Sequence, residues 1–294
     1  MDNQKAVWLK VLGLIVLTII VAFVTVKFAA TKPQNQNSTV YDKVIKSGTI
    51  RVCYAAYAPY FVKDPNTGKF SGVFFDMVNK AAESMSLKVD WNAEISRGDM
   101  AEALNSGRCD MVGSGFYSTS ARGRVAELSV PVFYNPVDAY VRADDARFDN
   151  NYKIANDKQY TIATIDGQSS QTIAVNQFPN AKTVQLPLSS DASQLLLNVA
   201  DGKADMTFSE PVLANLYMKN NPGKIKDVSL AKPVIVYGNS VVVKKGEFAL
   251  ISAFNNAITE LLNNGYAESI ISHYEKIYPG AYYRVAAPYS IPTK

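Results

Sequence analysis

Apolar positions between residues 49 and 115 follow two rhythms in alternation. TIRVCYA (49–55) is β-branched and apolar, the pattern of a buried strand. KDPNTGKFSG (63–72) carries turn signals, and VFFDMVNKAAESMS (73–86) has helical spacing, with Phe75, Val78, Ala82 and Met85 on one side. LKVDWNA (87–93) predicts a second strand, RGDMAEALNSGRC (97–109) a short helix closed by Gly107, and DMVGSG (110–115) a third strand. This strand–helix–strand–helix–strand order with short connections predicts a parallel sheet with right-handed crossovers.

The pattern then returns. YTIATIDG (160–167), SSQTIAVNQF, KTVQLPL, ASQLLLNVADG and ADMTFS (204–209) repeat the order, and each half has a Gly-(Lys/Arg)-x-Asp turn before its last strand, GRCD at 107–110 and GKAD at 202–205. Two extended, largely apolar stretches, SVPVFYNPVDAYVRADD (129–145) and KPVIVYGNSVVVKKG (232–246), suit a two-strand hinge between two lobes. The end of the chain predicts two amphipathic helices separated at Asn264–Gly265. The fold class expected is α/β and two-lobed, each lobe a mostly parallel sheet flanked by helices. Ligands of open α/β sheets sit beyond the carboxyl ends of the strands. The strand-end residues to watch are therefore Tyr54, Tyr57, Ser114 to Tyr117, Gly167 to Ser170, Ser209 and Glu210.

Composition narrows the function classes. The 294 residues are 48% hydrophobic and 19% charged, enough for two lobes. The net charge of +4 is spread along the chain without a basic block, which argues against nucleic acid. His273 is the single histidine and stands outside any metal-ligand spacing, and no GxSxG, HExxH or P-loop is present. No metal and no cofactor are expected. Lys5 and Lys10 precede an uncharged apolar run at 11–26, followed by Lys27 and the polar stretch TKPQNQNST (31–39). Residues 1–30 thus read as a signal peptide or an uncleaved membrane anchor, and 31–42 as a polar tether. Lys27 and Phe28 spoil a small-x-small cleavage site, and no cysteine ends the run, which excludes lipid anchoring there. Export is expected, with cleavage left open.

GTIRVCYAAYAPYFVKDPNTGKFSGVFFDM, EALNSGRCDMVGSGFYSTSARGRVAELSVPVFY, GKADMTFSEPVLANLY and VKKGEFALISAFNNAITELLNNGYAESIISHYEKI stand in an order and spacing that resemble the periplasmic amino-acid-binding proteins of ABC importers, over roughly residues 43–280. The resemblance implies a type II periplasmic-binding fold, with lobe 1 from 43–137 and 237–290 and lobe 2 from 138–236. It implies a monomeric, non-enzymatic receptor in the periplasm that captures an amino acid or similar small carboxylate and delivers it to an inner-membrane ABC permease. If uncleaved, the N-terminal segment would hold it to the membrane.

The resemblance also assigns residues. Arg122 falls on the arginine that forks onto the ligand α-carboxylate, a pairing that suits a planar guanidinium. Arg124 has no such role and reads as surface charge. Glu210 falls on the acid that holds the ligand ammonium. Gln168 and Ser169 in GQSS sit by the carboxylate at a helix N-terminus. Tyr57 covers the ligand, and Ser114, Gly115 and Tyr117 line the lobe 1 wall. Tyr117 replaces a small hydroxyl residue, Tyr54 stands where receptors for basic amino acids often carry an acid, and Arg97 takes a wall position that is often aromatic. Losing an acid and gaining a cation points away from lysine or arginine as ligand and towards polar, acidic or aromatic ones. Phe74 and Phe75 read as core. In the family register, Cys53 and Cys109 lie about four residues apart along the sheet, beyond disulfide reach at ~3.3 Å per residue. Two buried free thiols are expected.

Two other functions share the fold. Some relatives are prephenate or arogenate dehydratases. Elimination needs a general acid, for which Glu210 is the one candidate, since PVLANLYM (211–218) contains none. A membrane-tethered ligand-sensing domain is the third reading, motivated by the uncertain cleavage site.

Overall fold

Strands form where the β-branched runs stand: β1 (Thr49–Tyr54), β2 (Val62–Lys63), β3 (Phe70–Ser71), β4 (Lys88–Glu94), β5 (Met111–Tyr117), β6 (Ala126–Leu128), β7 (Phe133–Arg142), β8 (Thr161–Ile165), β9 (Lys182–Leu186), β10 (Met206–Ser209), β11 (Ile225–Asp227) and β12 (Ile235–Lys244). The structure, a computed structural model, describes Trp8 and residues 38–229, 232–279 and 281–282. The chain divides into two units, 1–39 and 40–294. The apolar run at 11–26 lies outside the described residues, and among those described no helix is long and apolar enough to cross a membrane.

Within the second unit the main sheet runs β4-β1-β5-β12-β7-β10-β8-β9, with β6 beside β12 and β11 beside β7. β4, β1 and β5 are parallel, as are β10, β8 and β9. The two antiparallel strands between these halves belong to both. β7 pairs through Phe133–Val137 with β12 and through Asp138–Val141 with β10. β12 pairs through Ile235–Asn239 with β7 and from Asn239 to Val243 with β5. Each half keeps its own apolar clusters, around Phe74, Met77 and Phe254 in the first and around Ile162, Phe208 and Leu196 in the second. Burying a side chain such as Phe74 contributes roughly 1.5–3 kcal/mol.

The repeated Gly-(Lys/Arg)-x-Asp turn does the same job in both halves. Gly107 and Gly202 take φ of 70° and 73°, which favours glycine. The Asp110 carboxylate then accepts the Arg51 N–H at 3.0 Å, while the Asp110 N–H donates to the Arg51 carbonyl at 2.9 Å. Asp205 accepts the Thr161 N–H at 2.9 Å and donates to the Thr161 carbonyl at 2.8 Å. Each aspartate fastens the third strand of its half to the first. Arginines complete both carboxylates, Arg51 on Asp110 and Arg147 on Asp205, each at 2.6 Å.

Two expectations need correction. The buried face of helix Val73–Ser84 is Val73, Phe74, Met77, Val78, Ala81 and Ala82, whereas Phe75 is half-buried and Met85 lies past the helix end. The shift arises because the helix packs on the helices Phe248–Asn263 and Tyr266–Ile277 as well as on the sheet. Phe75 instead joins an aromatic group with Phe70 and Trp91. The cysteines are not free thiols: Cys53 and Cys109 form a disulfide, with Cα atoms 5.7 Å apart. Cys53 does stand opposite Val112, three residues beyond Cys109. Cys109, however, precedes β5 in the turn that returns from helix Met100–Asn105. That turn still lies over the sheet face onto which Cys53 points, and both cysteines share one buried apolar cluster with Met100, Leu104 and Val112. Spacing along a strand measures distance only for residues inside the strand.

Candidate ligand-binding site

GSG at 113–115 is a bulge. Opposite it, β12 advances from Ser240 to Val242 while β5 covers Val112 to Phe116. Gly115 has φ of 83°, and a Cβ there would run into the Phe74 ring. The Ser114 hydroxyl accepts the Ala55 N–H at 2.9 Å and fastens the bulge to the end of β1. The extra residues re-aim the last side chains of β5. Tyr117 is turned onto Tyr237 of the crossing strand, ring centres 4.6 Å apart, and Phe116 is buried under two guanidinium groups.

A cavity of about 280 Å³ opens at the carboxyl ends of β5, β8 and β10. That is near the lower end of the ~300–1,000 Å³ common for small-molecule sites. Tyr57, Arg97, Tyr117 and Arg122 line it from the first half; Gln168, Ser169 and Glu210 line it from the second. Met100, Leu188, Leu195, Phe208 and Leu213 supply apolar wall. Of the residues singled out from sequence, Tyr54, Ser114, Gly115 and Phe116 do not line it. Tyr54 is buried among Phe61, Phe70 and Trp91, with its hydroxyl meeting Lys63 at 3.1 Å. Ser114 and Gly115 are spent on the bulge, Gly115 offering its carbonyl to Arg97. Arg124 is exposed, as is His273.

Arg122 begins where Thr119 caps a single turn, its hydroxyl accepting the Arg122 N–H at 3.3 Å. The guanidinium donates through Nη1 to the Tyr117 carbonyl at 3.0 Å and lies 5.3 Å from the Phe116 ring centre. Arg97 donates to the Gly115 carbonyl at 3.1 Å and stacks between Phe116 and Tyr57, 4.5 and 5.1 Å from their ring centres. Burial, and then the neighbouring Arg97, bring the Arg122 pKa down to about 10, so it stays charged at neutral pH. Helix Ser169–Gln177 begins at the opposite wall, and Gln168 makes no side-chain cap there. First-turn N–H groups of a helix have no intrahelical acceptor and favour an anion.

Glu210 follows β10 and precedes Pro211, the first residue of helix Pro211–Asn220, where proline's missing N–H costs nothing. Its two oxygens are held by hydroxyls of the opposite half, Oε1 by Tyr117 and Oε2 by Tyr60 at 2.8 Å. Burial pushes its carboxyl up, opposed by those two hydroxyls and by Arg97. Burial and then Glu210 push the Tyr60, Tyr117 and Tyr57 hydroxyls up, so all remain donors. The network continues backwards: Asn135 Nδ2 donates to the Tyr60 hydroxyl and, at 3.1 Å, to the Ala281 carbonyl, and Asn239 Nδ2 donates to Asn135 Oδ1. Asn135 and Asn239 are buried on the two crossing strands. Sequence reasoning passed over Tyr60, Asn135 and Asn239. The signal was present as the second tyrosine of YAPY and as amides inside two apolar extended runs.

These features are those of a two-lobed solute-binding protein: two α/β halves, two shared strands and a cavity with charged and polar groups at facing strand ends. The chain belongs to the bacterial extracellular solute-binding proteins, family 3, whose model matches residues 50–276. It is 23% identical over 229 residues to a "Probable histidine-binding protein" of Neisseria gonorrhoeae, covering 75% of this chain and 80% of that one. It is 24% identical over 196 residues to a cyclohexadienyl dehydratase of Pseudomonas aeruginosa, covering 66% of this chain and 70% of the relative. In fold it matches an ancestral amino acid-binding protein, a precursor of cyclohexadienyl dehydratase. That match has a TM-score of 0.66 and 24% identity, covering 82% of this chain and all of the other.

Proposed function

We propose that the protein is a receptor that captures an amino acid or similar small carboxylate between its lobes and delivers it to an ABC permease. One observation carries the reading: Arg122 from one half, and the helix start at Gln168–Ser169 with Glu210 from the other, converge on one cavity. Arg122 takes the α-carboxylate through two parallel hydrogen bonds, helped by the helix N–H groups. Glu210 keeps lone pairs beyond those given to its tyrosines and takes the ammonium. Tyr57 covers the ligand. Residues 43–137 with 237–290, and 138–236, act as the closing lobes, hinged where β7 and β12 cross. The disulfide suits an oxidising compartment, in keeping with export to the periplasm. Calorimetry with a panel of amino acids tests the reading. Arg122→Ala is expected to weaken the preferred ligand at least 100-fold, and equal affinity in the two proteins refutes the carboxylate role.

A second reading is favoured by the state of Glu210. A buried carboxyl with raised proton affinity beside a cavity is what a general acid needs, and one relative is named as a dehydratase. Turnover of prephenate by the purified protein would move the assignment to that class.

A further inference from the structure

Two guanidinium groups share this cavity, and among the described residues neither has an ion-pair partner. Arg97 and Arg122 both line it, and both lie within 5.3 Å of the Phe116 ring centre, Arg97 at 4.5 Å. Several other cations of this half do form ion pairs: Arg51 with Asp110, Lys63 with Glu94, Lys80 with Glu83 and Lys245 with Glu127. Glu210 is the acidic residue on the cavity lining, and Tyr117 and Tyr60 hold its oxygens. Each guanidinium has one hydrogen bond to a backbone carbonyl, Gly115 for Arg97 and Tyr117 for Arg122, out of five donors. Those carbonyls and the Phe116 ring hold both groups at the one cavity, against their mutual repulsion. Like charges kept this close in a partly buried place are costly unless an anion joins them.

The geometry points to a ligand with two carboxylates, one on Arg122 and the second on Arg97. This rests on the receptor reading above and names its ligand class. Arg97 becomes the specificity-determining residue. A lysine or arginine ligand would bring a third cation to the same wall, while a neutral side chain would leave the Arg97 charge unanswered. The two positive charges and one carboxylate of the lining ask for a net anionic ligand. The source is either an acidic amino acid, whose ammonium meets Glu210, or a dicarboxylate without an amino group.

The test is titration calorimetry of the purified protein with L-glutamate and L-aspartate, glutarate and succinate, and the amides L-glutamine and L-asparagine, beside the remaining amino acids. At least one two-carboxylate ligand is expected to bind ten-fold or more tighter than the corresponding amide. Arg97→Gln is expected to bring acid and amide within about three-fold, Arg97→Lys to keep part of the preference, and Arg122→Gln to weaken both. Glutamate above glutarate, or the reverse, supports the class and identifies the source. An amide or a basic amino acid that binds as tightly as the acids overturns the inference and leaves the receptor intact, as does an acid-to-amide ratio unchanged in Arg97→Gln. Binding of none of these compounds overturns both. Circular dichroism and melting of the unliganded variants separate loss of fold from loss of contact. If Arg97→Gln does not fold, the ratios in the unaltered protein and in Arg97→Lys decide.

Discussion

At the scale of single residues, the site depends on side chains and backbone angles that cost stability. Gly115 holds φ of 83° with the Phe74 ring where a Cβ would stand. Gly115→Ala therefore combines left-handed strain with overpacking, and a loss of about 2–4 kcal/mol in urea unfolding is expected. Asp138 stands on β7 opposite Ser209, and burial, then Asp227, push its pKa up to about 6. An aspartate in the unfolded chain titrates near ~3.9. The folded state thus holds this proton more tightly, and the stability it contributes is complete below ~pH 4 and lost as pH rises through about 6. The loss is about 1–3 kcal/mol, and Asp227 and Glu210, also raised by burial, add to it with the same sign. Melting temperatures across pH 4–7 are expected to fall with pH and to fall less steeply in Asp138→Asn.

Among the elements, the first half relies on a covalent tie that the second lacks among the described residues. The Cys53–Cys109 bond closes a loop of 56 residues around helices Val73–Ser84 and Met100–Asn105, worth about 4 kcal/mol by the loop-entropy estimate. Reduction, or Cys53→Ala with Cys109→Ala, is expected to lower the unfolding free energy by that order in urea titration while leaving ligand stoichiometry unchanged. The paired Asp110 and Asp205 turns were visible in sequence as GRCD and GKAD, because a turn's chemistry is local. The disulfide was not. It depends on where the chain after Met100–Asn105 crosses the sheet face, and that is set by packing on Cys53, Val112 and Leu104. The same limit applies to helix Val73–Ser84, whose face is chosen by two partner helices from the far end of the chain.

For the molecule as a whole, the cavity exists because residues 93 and 150 positions apart meet. Tyr117 and Tyr60 of one half hold Glu210 of the other, and Asn135 and Asn239 link that contact to the crossing strands. These hydrogen bonds exist only while the halves are together. Tyr60→Phe with Tyr117→Phe leaves the Glu210 oxygens without their donors, so closing around a ligand should cost more. Ligand Kd is expected to rise ten-fold or more with the far-UV spectrum unchanged. X-ray scattering should show the unaltered protein contracting on ligand addition and the double variant contracting less.

Strand and helix order, the internal repeat and the two crossing stretches were legible in the chain, because each rests on periodicity, turn chemistry or motif spacing within a few dozen residues, whereas the candidate arginine was picked out by the family resemblance. Tertiary structure alone decided which strand-end residues reach the cavity. Tyr54, Ser114 and Gly115 have the same sequence claim as Tyr57 and Tyr117, but an aromatic cluster takes Tyr54 and the β5 bulge takes the other two. It also decided that Arg97 and Arg122, 25 positions apart in the chain, both come over one buried phenylalanine. Local pattern determines which side chains a strand offers. The long-range packing of two halves determines which of them face each other.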